Sequence, residues 1–210
     1  MASVLDGIYE KHNDKMFTVE DICYKITDGT HSTPKYTDKG VHFLSVKDIS
    51  KGVIDLSNTR YISKEEHDIL YKRCNPEKGD ILYTKVGTTG IAKVVDIEDE
   101  FSLFVSVALL KPKENILPIY FELILNSPKA YEQAQSRTRG VANRNLVLKD
   151  IKEIKIPLPS IKEQKNIVEF FNHYKIKHNN LLTQQTEKLK HLQSLKSSLL
   201  DMAFKGELVE

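Results

Sequence analysis

The chain contains no tryptophan, only two cysteines and seven prolines among its 210 residues. Cys23 and Cys74 stand 51 positions apart, at no metal-ligand spacing. They therefore provide no disulfide framework or cysteine metal site, and fit a reducing compartment as ordinary semi-buried thiols. No apolar run approaches the roughly 20 residues that a membrane-crossing helix needs. The opening "MASVLDGIYEKHNDK" has no basic flank leading into an apolar block, so a cytoplasmic protein is expected. The seven histidines (12, 31, 42, 67, 173, 178 and 191) are scattered and form no H-E-x-x-H or other ligand pattern. No glycine fingerprint for a nucleotide or methyl donor occurs, and Thr84–Gly90 is not a phosphate loop because no Gly-Lys-Ser/Thr follows. Glu153-Ile154-Lys155 resembles half of a metal-nuclease site, but no Pro-Asp precedes it and the segment reads as an alternating strand. A metal-dependent nuclease is thus only a remote alternative, and neither a catalytic residue nor a metal ligand is assigned.

The most informative absence is positional. Every proline lies at or before Pro159, and beyond that point the only glycine is Gly206. The hinge reads "IPLPSIKEQ" (156–164): Pro157 and Pro159 hold the incoming chain extended, and Ser160 with Glu163 makes an S-x-x-E capping box that starts a helix. Nothing from there to about Met202 breaks a helix, which gives about 43 residues and about 64 Å. A short break near Asn179 and Asn180 is an open alternative. Alternating steps of four and three select Ile167, Phe171, Tyr174, His178, Leu181, Gln185, Lys188, Leu192, Leu195, Leu199 and Met202, of which eight are apolar. That is a heptad seam in need of a partner helix. The polar trio His178, Gln185 and Lys188 reads equally as a register device or as a poorly packed middle.

Residues 1–158 form the other expected domain, with 159–210 as the long dimerisation and spacer helix plus tail. The expected class is α+β: one globular domain with a curved mixed or antiparallel sheet and short helices, followed by a long C-terminal coiled-coil helix. "FSLFVSVALL" (101–110) reads as a single core strand, and "GVHFLSV" (40–46) and "GDILYTKVG" (79–87) as glycine-opened strands. "GIAKVVDI" (90–97) pairs with the latter through the Gly87–Gly90 turn. Short helices are expected after Thr18 and, with Pro128 at its first position, after Ser127.

A formal net charge of +2 conceals clustering. From Ser127 to Lys155 there are seven Lys or Arg against three acids, a local +4 that leaves −2 for the remainder. Such a concentration suits phosphate, although a solvated basic loop has the same composition. Three loops carry groups that can contact nucleic acid. In "DGTHSTPKY" (28–36) these are Thr30, His31, Ser32, Thr33, Lys35 and Tyr36, in what is otherwise a polar turn around Gly29 and Pro34. In "TKVGTTG" (84–90) they are Lys85, Thr88 and Thr89. In "SRTRGVANRNLVLKD" (136–150) Arg137, Arg139 and Arg144 suit guanine or phosphate, and Asn143 and Asn145 suit adenine.

Taken together, "DGTHSTP" (28–34), "KGDILYTKVGTTG" (78–90), "NLVLKDIKEIKIPLPSIKEQKNIVEFF" (145–171) and "LLDMAFKGEL" (199–208) resemble the specificity (S) subunits of Type I restriction–modification systems. The likeness spans nearly the whole chain. It implies a non-catalytic DNA-recognition subunit that reads a split double-stranded target with two recognition domains held apart by paired helices. It also implies docking of two methyltransferase subunits, which would bind S-adenosylmethionine themselves, and association with restriction subunits. The S chain itself would need no cofactor. This sequence departs from that pattern in carrying one recognition domain, one long helix and no internal repeat, and so resembles a half-size S chain. A half with an unpaired seam is expected to pair antiparallel with a second copy and read a palindromic bipartite site. The competing expectation is a coiled-coil protein-interaction module with no DNA specificity of its own.

Overall fold

The computed structural model of the chain describes residues 2–140 and 144–205. Two compact units are present, Met1–Lys165 and Asn166–Glu210. The first is α+β, the expected class. Its elements run α1 (Ala2–Lys11), a 3-10 turn, β1 (Met16–Thr18), α2 (Val19–Ile22), β2 (Cys23–Asp28), β3 (Tyr36–Thr37), β4 (Val41–Leu44) and α3 (Val46–Ile49). They continue with β5 (Arg60–Ile62), α4 (Lys64–Tyr71), β6 (Ile81–Thr84), β7 (Ala92–Val94), β8 (Phe101–Leu103) and β9 (Val107–Pro112). Last come α5 (Pro118–Leu125), α6 (Pro128–Arg137), α7 (Leu148–Lys152), β10 (Lys155–Pro157) and α8 (Ile161–Lys205).

The strands make an antiparallel sheet in the order β2-β9-β6-β7, a mixed sheet β3-β5-β4-β8 and the small pair β1-β10. The mixed character comes from β4 and β8, which run parallel. Leu44, Ile49, Leu82, Phe101, Leu103, Val107 and Leu109 join residues of both larger sheets in one core. Burial pushes the thiols of Cys23 and Cys74 up to about 12, so both remain protonated, unreactive packing groups.

Local signals placed several elements. Thr18 caps α2 with Asp21 in a reciprocal box, and Ser127 caps α6 with Pro128 in its first turn. β6 and β7 pair antiparallel across the Gly87–Gly90 turn. One expectation fails: "FSLFVSVALL" is two strands in two sheets. β8 lies beside β4 and β9 beside β2 and β6, with a turn in which the Val107 amide donates to the Phe104 carbonyl at 3.0 Å. The apolar alternation continues across the break because both strands border the shared core. The turn itself is held by Ser106, whose hydroxyl accepts from the Val46 amide at 3.0 Å. Glu153 caps the C-terminus of α7, so Glu153–Lys155 is not the single alternating strand expected. α5 escaped the sequence reading because "PIYFELIL" is apolar almost all round and shows no helical period; Tyr120, Phe121, Ile124 and Leu125 are fully buried.

The hinge behaves as its residues demand. The Ser160 hydroxyl accepts from the Glu163 amide at 3.4 Å while the Glu163 carboxylate accepts from the Ser160 amide at 3.1 Å. α8 then runs 45 residues and passes through Asn179 and Asn180 without a break. Gln164, fully buried, does more than continue it. Its carbonyl accepts from the Leu117 amide at 2.8 Å, and its amide donates to the carbonyls of Asn115 at 3.0 Å and Pro159 at 2.9 Å. The first turn of α8 is therefore locked into the globular unit by one side chain.

Replacing that side chain leaves three backbone groups without partners. Gln164→Ala is expected to destabilise the globular unit by roughly 1–3 kcal/mol, measured by chemical denaturation monitored on the β-sheet signal. Lys165→Ala, one position on and exposed, serves as the neutral control.

Candidate nucleic-acid interface

The three loops singled out above are tied to one another. At the end of β2, the Asp28 carboxylate, 4 % exposed, faces three basic side chains: Lys85 at 3.2 Å, the His31 imidazole at 3.4 Å and Arg73 in direct contact. Lys85 belongs to the second loop. Its backbone amide donates to the Ser106 carbonyl at 2.9 Å, and its carbonyl accepts from the Leu146 amide at 2.8 Å, at the end of the third loop. Two residues on, the Gly87 amide donates to the Arg144 carbonyl at 2.9 Å, and Val86 bridges Asn145 in β fashion. Asn145 also bridges Arg139, closing the third loop on itself.

Within this arrangement the candidate side chains divide. In the first loop His31, Ser32, Thr33 and Lys35 are exposed and Thr30 and Tyr36 are half-buried. The Thr30 hydroxyl is engaged with Ser32, accepting from its amide at 3.2 Å. In the second loop Thr88 is exposed, whereas Lys85 and Thr89 are buried, which corrects their reading as surface contacts. The Lys85 ammonium is consumed by Asp28 and by the Val105 carbonyl at 3.3 Å. The Thr89 hydroxyl meets Thr138 at 3.1 Å, and its carbonyl accepts from Gln135 at 3.0 Å. In the third loop Arg139 and Arg144 are exposed, the former 3.4 Å from Asp150 and the latter bonded to Gln135. Arg137 is half-buried and donates to the Gln133 carbonyl of its own helix at 3.1 Å. Asn145 is half-buried, and its side-chain oxygen is buried without a hydrogen-bond partner among the described residues. Asn143 lies outside the described residues.

The structure adds residues with no local signal. Arg60 opens β5 and lays its guanidinium 4.3 Å over the ring of Tyr36. It arrives there because β5 pairs with β3, Tyr36 opposite Ile62. Arg60, Lys47, Tyr36 and Phe104 line an open groove together with Val86 and Gly87 of the second loop. Among the described residues no cluster of three or more His, Cys, Asp or Glu could hold a metal, and no helix is long and apolar enough to cross a membrane.

Exposed arginines and a lysine beside hydroxyls and a stacked aromatic, on loops braced from beneath, make a surface suited to a polyanion with readable edges. Residues 12–191 match the family described as the Type I restriction modification DNA specificity domain. The chain belongs to that family.

Its similarity to curated members of the family is substantial but partial in length. It is 35% identical over 170 residues to the Type I restriction enzyme EcoBI specificity subunit of Escherichia coli, covering 80% of this chain and 36% of that protein. It is 25% identical over 204 residues to the EcoKI specificity subunit of Escherichia coli strain K12, covering 92% and 43% respectively. The chain thus spans less than half the length of these relatives. The crystal structure of the HsdS subunit from Thermoanaerobacter tengcongensis shares the fold, with a TM-score of 0.60 at 21% identity over 92% of this chain and 45% of that one. The family's match begins at residue 12 and includes all three loops and most of α8.

Gly29 shows how tightly this surface is built. A Cβ there would stand 2.0 Å from the Leu103 carbonyl oxygen, a backbone atom, whereas one on Gly7 in α1 meets nothing within 4 Å. Gly29→Ala is therefore expected to lose roughly 1–3 kcal/mol by overpacking, while Gly7→Ala gains about 0.5–1 kcal/mol through helix propensity. Thermal melts of the two variants beside the parent protein check both signs.

Proposed function

We propose that this chain is a DNA-reading specificity component that recognises one half of a split duplex target. The observation that carries the reading is the bracing of three candidate loops into one surface bearing Lys35, Arg60, Arg139 and Arg144, in a chain that belongs to a DNA specificity domain family. Phosphate neutralisation by those cations would supply affinity, and the exposed hydroxyls and correctly angled guanidinium groups would supply base choice. No chemical step is assigned to the chain; S-adenosylmethionine would belong to a partner methyltransferase.

The long helix supports the assembly part of the reading. Tyr174, Leu181, Leu192, Leu195, Leu199 and Met202 of the expected seam are exposed, and Tyr174 stacks on His178 with ring centroids 6.2 Å apart. Phe171 is the seam position that is buried. Leu182 and Leu189, one position beyond the seam, are exposed as well, so the apolar stripe is wider than a two-stranded zipper uses. An antiparallel pair with a second copy would cover the seam, and the flanking leucines would remain for methyltransferase helices. Two identical readers related by a two-fold axis select a palindromic bipartite site whose spacer the helix length sets. Restriction subunits would join the same complex.

Two outcomes test this. Arg60→Ala, Arg139→Ala and Arg144→Ala are each expected to weaken specific binding by roughly 1–3 kcal/mol where the guanidinium reads a base, or to reduce the salt slope by about one where it meets phosphate. Electrophoretic shifts of the chain with its methyltransferase across a salt series make the distinction, and binding insensitive to salt would refute the DNA reading. Seven residues inserted after Asn180 lengthen the helix by about 10 Å, about three base pairs at 3.4 Å each. The modified motif, read by methylome sequencing, should keep its half-sites and lengthen its spacer, and a monomer in light scattering would refute the pairing.

A further inference from the structure

We propose that Asp28 and Lys85 form a positioning pair that contacts no DNA but sets the three reading loops in register, so that sequence discrimination depends on it while charge-driven attraction does not. The proposal rests on the reading of this surface as a DNA interface.

Lys85 sits in the loop where a phosphate-binding lysine would be looked for, yet 6 % of its side chain is exposed and both of its hydrogen bonds point inward. The same residue is the mechanical junction of the surface. Its side chain holds Asp28, the residue at which β2 passes into the first loop. Its amide holds Ser106 and its carbonyl holds Leu146, and Gly87, two positions on, holds Arg144. A displacement of Lys85 is therefore passed to the first loop through Asp28 and to the third through Leu146 and Arg144. Burying an ion pair is a poor way to gain stability, because desolvation offsets most of the attraction; in some proteins such pairs instead fix register, and that is the role proposed for this one. Reading base edges requires side chains held to within about 0.5 Å. Attraction to phosphate has no such requirement, and Lys35, Arg139 and Arg144 supply it from exposed positions.

Besides Lys85, the groups facing Asp28 are Arg73 and His31. Lys85→Met therefore leaves the carboxylate paired, whereas Asp28→Asn leaves a buried ammonium without its counter-charge. The double variant removes both charges and the stability penalty of an orphaned ion, but does not restore the tie.

The experiment uses the full chain with its methyltransferase. Affinity for its own site and for an unrelated duplex is measured over a salt series for Lys85→Met, Asp28→Asn and the double variant, with thermal melts and the modified motif from methylome sequencing. Lys85→Met is expected to keep non-specific affinity and the salt slope. Its ratio of specific to non-specific affinity should fall roughly tenfold or more, the effect of about one mismatched base pair, and the motif should broaden. The double variant should recover the melting temperature lost in Asp28→Asn while discrimination stays low. A salt slope reduced by about one with discrimination intact would make Lys85 a phosphate contact and overturn the proposal. Discrimination that returns together with the melting temperature in the double variant would reduce the pair to a stabilising role and also overturn it. A parent complex without salt-sensitive DNA binding would remove the interface reading itself, and the positioning role with it.

Discussion

An ammonium group cut off from water needs a counter-ion, and the placement of Asp28 against Lys85 satisfies that requirement at the point where both larger sheets end. Asp28 closes β2 of the antiparallel sheet, and Lys85 follows directly on β6 of the same sheet. Next to Asp28, Thr30 bonds across to the last residue of β8, its amide donating to the Leu103 carbonyl at 2.9 Å. One ion pair thus stands where two sheets and three loops meet. The absence of a Cβ on Gly29 is part of the same constraint, because a side chain there would push the β8 backbone away.

Buried charge is used the same way elsewhere in the antiparallel sheet. Lys111 of β9 is almost wholly buried and bonds to Asp80 at 2.7 Å and Glu77 at 2.9 Å. Burial opposes its charge, but the two carboxylates more than offset that and raise its pKa. His67, also buried, meets the Ser102 hydroxyl at 2.9 Å, which joins α4 to β8. In each case a polar group within apolar surroundings is matched to one or two specific partners, and the match fixes how one segment lies on another. Apolar packing alone tolerates sliding far better.

The hinge applies the same economy to the chain's main division. Pro157 and Pro159 bring the chain in extended, Ser160 and Glu163 start the helix, and Gln164 fastens its first turn to the loop before α5. Beyond that turn α8 exposes Leu181, Leu182, Leu189, Leu192, Leu195 and Leu199.

Much of this was legible in the residues. The capping boxes at Thr18 and Ser160, the Ser127-Pro128 helix start, the β6–β7 hairpin and the length of α8 all follow from interactions spanning a few residues, which a sequence displays directly. The three candidate loops were chosen from their residue types alone. Only the tertiary structure could show that Lys85 and Thr89 face inward, that "FSLFVSVALL" divides between two sheets, that Arg60 stacks on Tyr36, and that Gln164 is a clasp. Each depends on a partner distant in sequence: Asp28 is 57 positions from Lys85, and Asn115 is 49 from Gln164. Residue type limits what a side chain is able to do. Whether a lysine meets a phosphate or a buried carboxylate is decided by what the rest of the chain brings to it, because burial and ion pairing depend on distance in space.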